Sequence, residues 1–415
     1  MRFPKPKIVS FRDEVDEISN TSYLTHSLYY HPAKFIPQIV KYCLTKYTKR
    51  GGRTLDPFAG SGTTGLEASI NGYTALLTDI NPLLDYFYPI KLPEFSIQEW
   101  GKYIYDATKI IDDVYSFDIK KLENKNINPR LQYWYPLDLL LYFSKVWEQI
   151  SKQKDSISKK LLILTFFKLS KKYSFAEHAM PKLFTSKRKR QKIQDLERNT
   201  DFQRKVVDEA RKEIKRIDKS VSELIIKFNL KKIEYHSGVD AYSFPYKEKG
   251  RVDSIITSPP YLQAQEYMRT FKLEMMWLGY SDEKIKSFSK KEIPFRKPDG
   301  KIDGHYINNV RTKIKSKKLQ EMFDSYFWFT IKAIENASNS LKSKGKLCIL
   351  IGNPVMENEL IEIWKVICEY FVVDKKYKLI EVFEDRIVTR KLFSGRKNNN
   401  PEGMRSEFLV VLEKL

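Results

Sequence analysis

Hydrophobic and polar positions follow two patterns along the chain. Short apolar runs bounded by Gly, Pro and Asn predict buried strands, with helical segments between them. The predicted strands lie at 53–56, 74–79, 233–239, 252–257 and 344–351. From 92 to 231, apolar residues recur instead at helical spacing among Lys and Glu. The alternation of strands and helices predicts an α/β fold with a parallel sheet covered on both faces, interrupted by a mostly helical insertion.

The same patterns predict how the chain is divided. We expect 20–91 and 232–415 to form two halves of one α/β unit, with 92–231 inserted between them. The apolar runs 378–383 and 407–412 predict a closing pair of strands near the end of the chain.

The charge balance points to a polyanionic partner. The 415 residues include 74 Lys and Arg against 52 Asp and Glu, a formal net charge of +22. This excess favours nucleic acid over a membrane surface, because the longest apolar runs are too short to span a bilayer. The first residues contain no apolar signal segment, so we expect an intracellular protein with no membrane partner. The three Cys and five His are scattered, so no metal site is predicted.

A Gly-rich loop follows the first predicted strand. Residues 56–64 read Asp-Pro-Phe-Ala-Gly-Ser-Gly-Thr-Thr, and such glycines let the backbone approach a nucleotide-like ligand. Gly60, Gly62 and Gly65 also satisfy the dinucleotide-binding pattern, with Asp79 at the spacing of a ribose contact. An NAD or FAD domain is therefore an open alternative. No Gly-Lys-Ser/Thr follows, which excludes a P-loop.

A second polar motif follows the predicted strand 252–257. Residues 258–261 read Ser-Pro-Pro-Tyr. The Ser258 hydroxyl and the Pro259 carbonyl could accept the two N–H groups of an amine on a planar ring, and Tyr261 offers a face for stacking. Pro259 and Pro260 have no N–H group and stiffen the turn. For this motif taken alone, a rigid turn without a catalytic role is the alternative interpretation.

Together the two motifs resemble the S-adenosylmethionine-dependent DNA amino-methyltransferases, which methylate cytosine N4 or adenine N6. The resemblance covers about residues 20–90 and 233–415 and implies a Rossmann-like class I methyltransferase sheet with an antiparallel closing strand pair. Residues 26–35 are similar to the family segment that folds over the methionine end of the cofactor. The implied cofactor is S-adenosylmethionine, with Asp56 near its ammonium group. The implied cofactor-binding residues are His31, Pro32, Lys34, Phe35, Asp56, Pro57, Phe58, Gly60, Gly62, Thr63, Asp79 and Asp240, and the implied catalytic residues are Ser258, Pro259, Pro260 and Tyr261.

The first residue of the catalytic motif bears on the target base. Ser258 in that place resembles the cytosine-N4 branch of the family, whereas Asp is typical of adenine-N6 enzymes and also occurs in cytosine-N4 ones. We therefore expect methylation of cytosine N4, with adenine N6 as the alternative. An RNA guanine-N2 methyltransferase and a catalytically dead nucleic-acid-binding protein are further alternatives. Carbon-5 methylation is disfavoured because its nucleophilic Cys follows Pro, and no Cys here does.

Two basic segments are candidates for contact with DNA phosphates. One lies in the insertion, which could hold the family's target-recognition region. The other lies in 287–318, a polar and basic stretch with Pro and Gly that predicts a long loop. The expected partners are duplex DNA and a cognate restriction endonuclease acting on the same site, in the cytoplasm of a prokaryotic cell. The candidate DNA-binding residues are Lys187, Arg188, Lys189, Arg190, Arg311 and Lys313.

Overall fold

The computed structural model describes residues 2–28, 35–115, 128–177, 183–199, 201–246, 250–262, 267–293, 295–386 and 405–415. One eight-stranded sheet lies at the centre of this part of the chain. Its strands are β1 (Lys7–Val9), β2 (Arg53–Asp56), β3 (Thr74–Asp79), β4 (Ile233–Ser237), β5 (Val252–Thr257), β6 (Leu341–Gly352), β9 (Tyr377–Arg386) and β10 (Ser406–Lys414). Two short strands, β7 (Val355–Met356) and β8 (Glu359–Leu360), pair with each other outside that sheet.

The strand order across the sheet is β1-β9-β10-β6-β5-β2-β3-β4. β10 runs antiparallel to both of its neighbours, with Val410 opposite Ile349 of β6 and Val382 of β9. The other pairings described in the sheet are parallel. This arrangement confirms the predicted α/β fold and its antiparallel closing pair. The carboxyl ends of β2 to β6 therefore meet at one edge, which is where open α/β sheets bind ligands.

Side chains of the central strands alternate between two hydrophobic clusters, one on each face of the sheet. Ile255 and Leu347 pack into one cluster, whereas Ile256 and Cys348 pack into the other. All four side chains are buried. Strands that bury both faces need helices on both sides, and this is what the chain supplies.

Helices cover both faces of the sheet. Outside the insertion they are α1 (Phe11–Glu14), α2 (Pro37–Tyr47), α3 (Thr63–Ile70), α4 (Leu84–Lys91), α10 (Tyr267–Thr270), α11 (Lys272–Trp277), α12 (Asp282–Lys290), α13 (His305–Lys313), α14 (Lys317–Ser338) and α15 (Ile363–Glu369). The insertion contributes α5 (Ile97–Tyr115), α6 (Leu137–Lys152), α7 (Ile157–Lys172), α8 (Lys187–Asn199) and α9 (Phe202–Lys227). None of the helices in the described ranges combines the length and the apolar character that a membrane span needs.

The helical insertion shares its core with the sheet. Phe166 of α7 and Ile217 of α9 belong to the same buried cluster as Leu66 of α3 and Met275 of α11. The prediction that the insertion is mostly helical is confirmed. The hydrophobic core, however, continues from the insertion into the segments on both sides of it. We therefore propose 20–91, 92–231 and 232–415 as divisions of the sequence and not as separately folding units.

The prediction of one long loop over 287–318 is wrong. α12 extends to Lys290, α13 lies within the stretch, and α14 begins at Lys317. Ile307 and Val310 of α13 are buried, and the Tyr306 N–H donates to the Glu369 carboxylate beyond the end of the stretch. The few apolar residues of this polar stretch, interrupted by Pro and Gly, did not reveal a helix, so tertiary contact decides the matter.

Replacing Phe166 by Ala should destabilise the whole molecule and not the insertion alone. The buried ring lies 5.0 Å from the ring of Trp147 and 5.0 Å from that of Trp277 on α11. Such a core truncation costs about 3–5 kcal/mol. Because the core is shared, we expect a single urea transition with a lower midpoint. Two transitions of which only one shifts would contradict the shared core, and Tyr105→Ala, at a 67% exposed position, is the control.

Candidate active site

The two sequence motifs line one cavity at the carboxyl edge of the sheet. The Gly-rich loop follows β2 and the Ser-Pro-Pro-Tyr turn follows β5, and these strands are paired neighbours with Leu55 opposite Ile255. The walls also include side chains from β3, β10 and the segments after β4 and α12. The lining residues that concern the site are Phe35, Asp56, Pro57, Phe58, Gly60, Ser61, Asp79, Ile80, Val239, Asp240, Ser258, Pro259, Pro260, Tyr261, Arg296 and Glu407.

Asp56 links the two motifs directly. Its carboxylate accepts hydrogen bonds from the Thr64 hydroxyl at 2.6 Å, the Thr257 hydroxyl at 2.7 Å and the Phe58 N–H at 3.1 Å. The side chain is 1% exposed. Burial raises the pKa of Asp56 to about 6, while these three donors favour the charged form. The end of β2, the first turn of α3 and the end of β5 are therefore held around one carboxylate.

The Gly-rich loop is shaped by its own backbone and by side chains behind it. The Asp79 carboxylate accepts the Gly60 N–H at 2.8 Å, and the Tyr88 hydroxyl donates to the Gly60 carbonyl at 2.9 Å. Gly62 has φ +74°, and a Cβ there would lie 2.8 Å from the Tyr88 ring. Gly62 and Thr63 are not among the described residues that line the cavity. They form the loop, and their predicted contact with a cofactor stays a prediction.

Two further carboxylates face the cavity from neighbouring segments. Asp79 accepts the N–H groups of Gly60 and Asn81, and burial raises its pKa. Asp240 forms an ion pair with Arg296, whose Nη1 lies 2.7 Å from a carboxylate oxygen. The Arg296 guanidinium also stacks on the Phe329 ring, with 4.8 Å between Cζ and the ring centroid. Arg296 was not predicted from the sequence, because its partner Asp240 is distant along the chain.

The Ser-Pro-Pro-Tyr turn presents a hydroxyl and an aromatic ring to the cavity. No residue of the described chain hydrogen-bonds the Ser258 hydroxyl. The Tyr261 hydroxyl donates to the Glu407 carboxylate, and burial raises the pKa of Glu407. Glu407 is a further cavity residue that the sequence did not reveal. It precedes an apolar run that reads as an ordinary strand, so only the strand order places it beside Tyr261.

The segment upstream of α2 is described in part. His31, Pro32 and Lys34 lie outside the described residues, while Phe35 lines the cavity. Just before the gap, the buried His26 lies with its Nε2 2.8 Å from the Glu67 carboxylate of α3. This contact fixes the start of the segment against the helix that follows the Gly-rich loop.

The basic residues predicted to contact DNA differ in their exposure and in their contacts within the protein. Lys187 and Arg188 are exposed at the start of α8. Lys189 donates to the Lys172 carbonyl at 3.0 Å, and burial lowers its pKa. Arg190 lies between two aromatic rings, 4.8 Å from that of Tyr133 and 4.7 Å from that of Phe175. Of this segment, we therefore propose phosphate contacts for Lys187 and Arg188 alone.

The second basic segment is also engaged by its own chain. Arg311 forms an ion pair with the buried Asp324 at 2.7 Å and donates to the Ile302 carbonyl at 2.8 Å. Lys313 lies 3.1 Å from the Glu359 carboxylate and is about half exposed. Arg311 thus anchors α13 to α14, and its predicted contact with DNA is not supported by this geometry.

Comparisons with known proteins find sequences similar to parts of this chain. The family model N6_N4_Mtase, described as DNA methylase, matches residues 10–85, which contain the Gly-rich loop and Asp79. Three Type II methyltransferases are similar in sequence: M.BsoBI of Geobacillus stearothermophilus (23% identical over 351 residues), M.MjaII of Methanocaldococcus jannaschii (33% over 94) and M.MvaI of Kocuria varians (44% over 68). The chain is therefore similar to the DNA amino-methyltransferases, with the family model matching residues 10–85.

The similarity to these relatives is partial. The matches cover 77%, 23% and 16% of this chain, and 62%, 18% and 15% of the length of M.BsoBI, M.MjaII and M.MvaI. The solved structure of the rRNA methyltransferase aviRa from Streptomyces viridochromogenes is 8% identical, with a TM-score of 0.33 over 98% of this chain and 96% of that one. A likeness at that level does not bear on the function of this chain.

Replacing Asp56 by Asn should change how stability depends on pH. The pKa of Asp56 is about 6 in the folded protein against an ordinary 3.8, so the folded state binds the extra proton between about pH 4 and 6. Wild-type stability therefore falls across that window as pH rises, and the Asn variant lacks this fall. Across that pH window, the free energy of unfolding of the variant minus that of wild type should therefore rise by about 3 kcal/mol.

Chemical unfolding at pH values from 3.5 to 7.5 measures this difference (about four points suffice). Asp113→Asn, at an exposed position of α5, is the matched control and should give a flat difference. A flat or falling difference for Asp56→Asn would contradict the burial that we assign to this carboxylate.

The bond between Tyr261 and Glu407 should appear as a coupling energy in unfolding experiments. Tyr261→Phe and Glu407→Leu each remove one partner and should each cost about 1–3 kcal/mol. Because the second substitution removes a bond already lost, the double variant should cost about 1 kcal/mol less than the sum. Tyr261→Phe combined with Glu413→Leu, at the other end of β10, should be additive. An additive result for both pairs would contradict the contact.

Proposed function

We propose that this protein transfers a methyl group from S-adenosylmethionine to an exocyclic amine of a base in duplex DNA. The observation that carries the proposal is the single cavity lined by both the Gly-rich loop and the Ser-Pro-Pro-Tyr turn. A turn with a purely structural role does not need to lie beside the Gly-rich loop. The similarity to Type II methyltransferases supports DNA as the substrate class.

The wall around the Gly-rich loop suits S-adenosylmethionine better than a dinucleotide. Asp56, Asp79 and Asp240 line it, together with apolar side chains such as Phe58 and Ile80. Carboxylates attract an ammonium group and accept hydrogen bonds from ribose hydroxyls, whereas they repel the pyrophosphate of NAD or FAD. We propose Asp56 for the ammonium group, Asp79 for the ribose and Asp240 near the adenine. When bound, the cofactor supplies an electrophilic methyl group.

The remaining residues of segment 26–35 complete the proposed cofactor site. Phe35 lines the cavity, so the segment reaches it at that residue. We propose that His31, Pro32 and Lys34 fold over the methionine end of the cofactor, as the family resemblance implies. Pro57 and Phe58 line the wall beside Asp56, and Gly60 gives the cofactor a close approach to the backbone.

The turn after β5 supplies the groups that prepare the amine. The lone pair of an exocyclic amine is delocalised into the ring, which makes the amine a poor nucleophile. The Ser258 hydroxyl and the Pro259 carbonyl accept its two N–H groups, which localises the lone pair and aims it at the methyl group. The Tyr261 ring stacks on the base, and Glu407 holds that ring in place. A base in a duplex reaches this cavity only after it leaves the helix.

Cytosine N4 is the target that we favour. A neutral hydroxyl at Ser258 accepts one N–H of the amine without adding a full charge to the cavity. Adenine N6 is the alternative and uses the same chemistry. All three Cys are buried in the core and none lines the cavity, which disfavours carbon-5 methylation. We further propose a restriction–modification role beside an endonuclease that acts on the same site, in keeping with the Type II relatives.

Mass spectrometry of nucleosides tests the proposed reaction. Duplex DNA incubated with the protein and methyl-labelled S-adenosylmethionine should yield N4-methylcytosine. If N6-methyladenine is the product, the target base is adenine and the proposed mechanism stands. A 5-methylcytosine product would contradict the mechanism. Ser258→Ala removes one acceptor, worth about 1–3 kcal/mol, so the rate should fall roughly tenfold to a hundredfold with cofactor affinity unchanged. Ser343→Ala, at an exposed position of β6, is the matched control.

A further inference from the structure

An anchored turn at the mouth of the cavity exposes an aromatic side chain. Phe295 is 50% exposed, although Glu292, Ile293 and Arg296 on either side of it line the cavity. Pro294 lies outside the described residues. A single exposed aromatic is ordinary on a protein surface, so its position beside the cavity is the feature that matters here.

The described residues on both sides of Phe295 make contacts that hold them in place. The Glu292 carboxylate accepts the Met268 N–H at 2.7 Å, and the Phe295 N–H donates to the Glu292 carbonyl at 2.9 Å. On the other side, Arg296 is held by its ion pair with Asp240 and by the Phe329 ring. The ring of Phe295 is therefore presented to solvent from a turn whose ends are held in place.

Exposed lysines lie near Phe295 on both sides along the chain. Lys286, Lys290, Lys291 and Lys297 are all exposed, and Lys291 also lines the cavity. A partner that approaches the cavity mouth thus meets an apolar ring within a field of positive charge. Duplex DNA offers a matching surface, because its phosphates flank a stack of apolar base faces.

We propose that Phe295 inserts into the duplex at the position that the target nucleotide vacates, while Lys291 and Lys297 contact the flanking phosphates. The inference rests on the proposed function, because it assumes that a base enters the cavity. A base that leaves the helix exposes the faces of its neighbours to water, and an apolar side chain that fills the gap removes this exposure. Minor-groove proteins insert Phe between base steps for the same physical reason.

A comparison of two DNA duplexes tests the insertion. Sequencing of DNA methylated by the wild-type protein first supplies the target site. One duplex then carries the normal base pair, and the other carries an abasic site opposite the target base. Phe295→Ala should slow methylation of the paired duplex by about fivefold to a hundredfold, the range of one lost stacking contact. On the abasic duplex the loss should be smaller, because the unpaired base leaves the stack at little cost.

Control variants separate insertion from general damage. Phe295→Leu keeps an apolar side chain and should restore part of the rate. Ile226→Ala, at a 70% exposed position of α9, should behave as wild type. Equal losses on the two duplexes, or no loss on the paired one, would overturn the insertion while leaving the proposed function intact. A wild-type protein that methylates neither duplex would overturn the proposed function and this inference with it.

The salt dependence of DNA binding tests the two lysines. Replacing Lys291 and Lys297 by Gln should reduce the slope of log K against log salt by up to about 2, because up to two phosphate contacts are lost. Lys49→Gln with Arg50→Gln removes the same charge from exposed positions just before β2, at the opposite edge of the sheet. If both double variants shift the slope equally, Lys291 and Lys297 are not at the DNA interface.

Discussion

The buried carboxylate of Asp56 is the constraint on which the rest of the site depends. A carboxylate at 1% exposure is costly unless donors surround it, and here two hydroxyls and one backbone N–H do so. The donors come from the loop after β2, from the first turn of α3 and from the last residue of β5. Satisfying one buried charge thus fixes the spacing between the Gly-rich loop and the Ser-Pro-Pro-Tyr turn, because Thr257 immediately precedes Ser258.

The antiparallel strand β10 completes the site from the other side. The parallel strands end at the edge that carries the cavity, so a strand that runs the other way begins there. Its second residue, Glu407, therefore reaches Tyr261, while its later residues Val410 and Val411 are buried in the sheet. Because β10 runs opposite to its neighbours, it contributes the polar side chain of Glu407 to the cavity.

The large positive charge of the chain is not all available to a nucleic acid. Arg190, Arg296 and Arg311 are each occupied by aromatic rings, carboxylates or carbonyls of the protein itself. The planar guanidinium group stacks and pairs in ways that an ammonium group does not, so the arginines hold segments together. The exposed charges that remain near the cavity belong to lysines such as Lys291 and Lys297. The net charge therefore indicates the class of partner but does not locate the interface.

The sequence by itself determined the local elements of this protein. The spacing of apolar residues, with Gly and Pro at the turns, predicts three of them. These are the strand, loop and helix around 53–70, the strand before Ser258 and the closing strands. The residues that we propose for cofactor binding and catalysis were also found from the sequence, because each motif lies within a few consecutive residues. Only the tertiary structure decided which distant residues meet. The fold placed β2 beside β5, brought Glu407 to Tyr261 and Arg296 to Asp240, and held the start of α13 against Glu369. These contacts join residues far apart in the chain, where local periodicity and turn preferences carry no information.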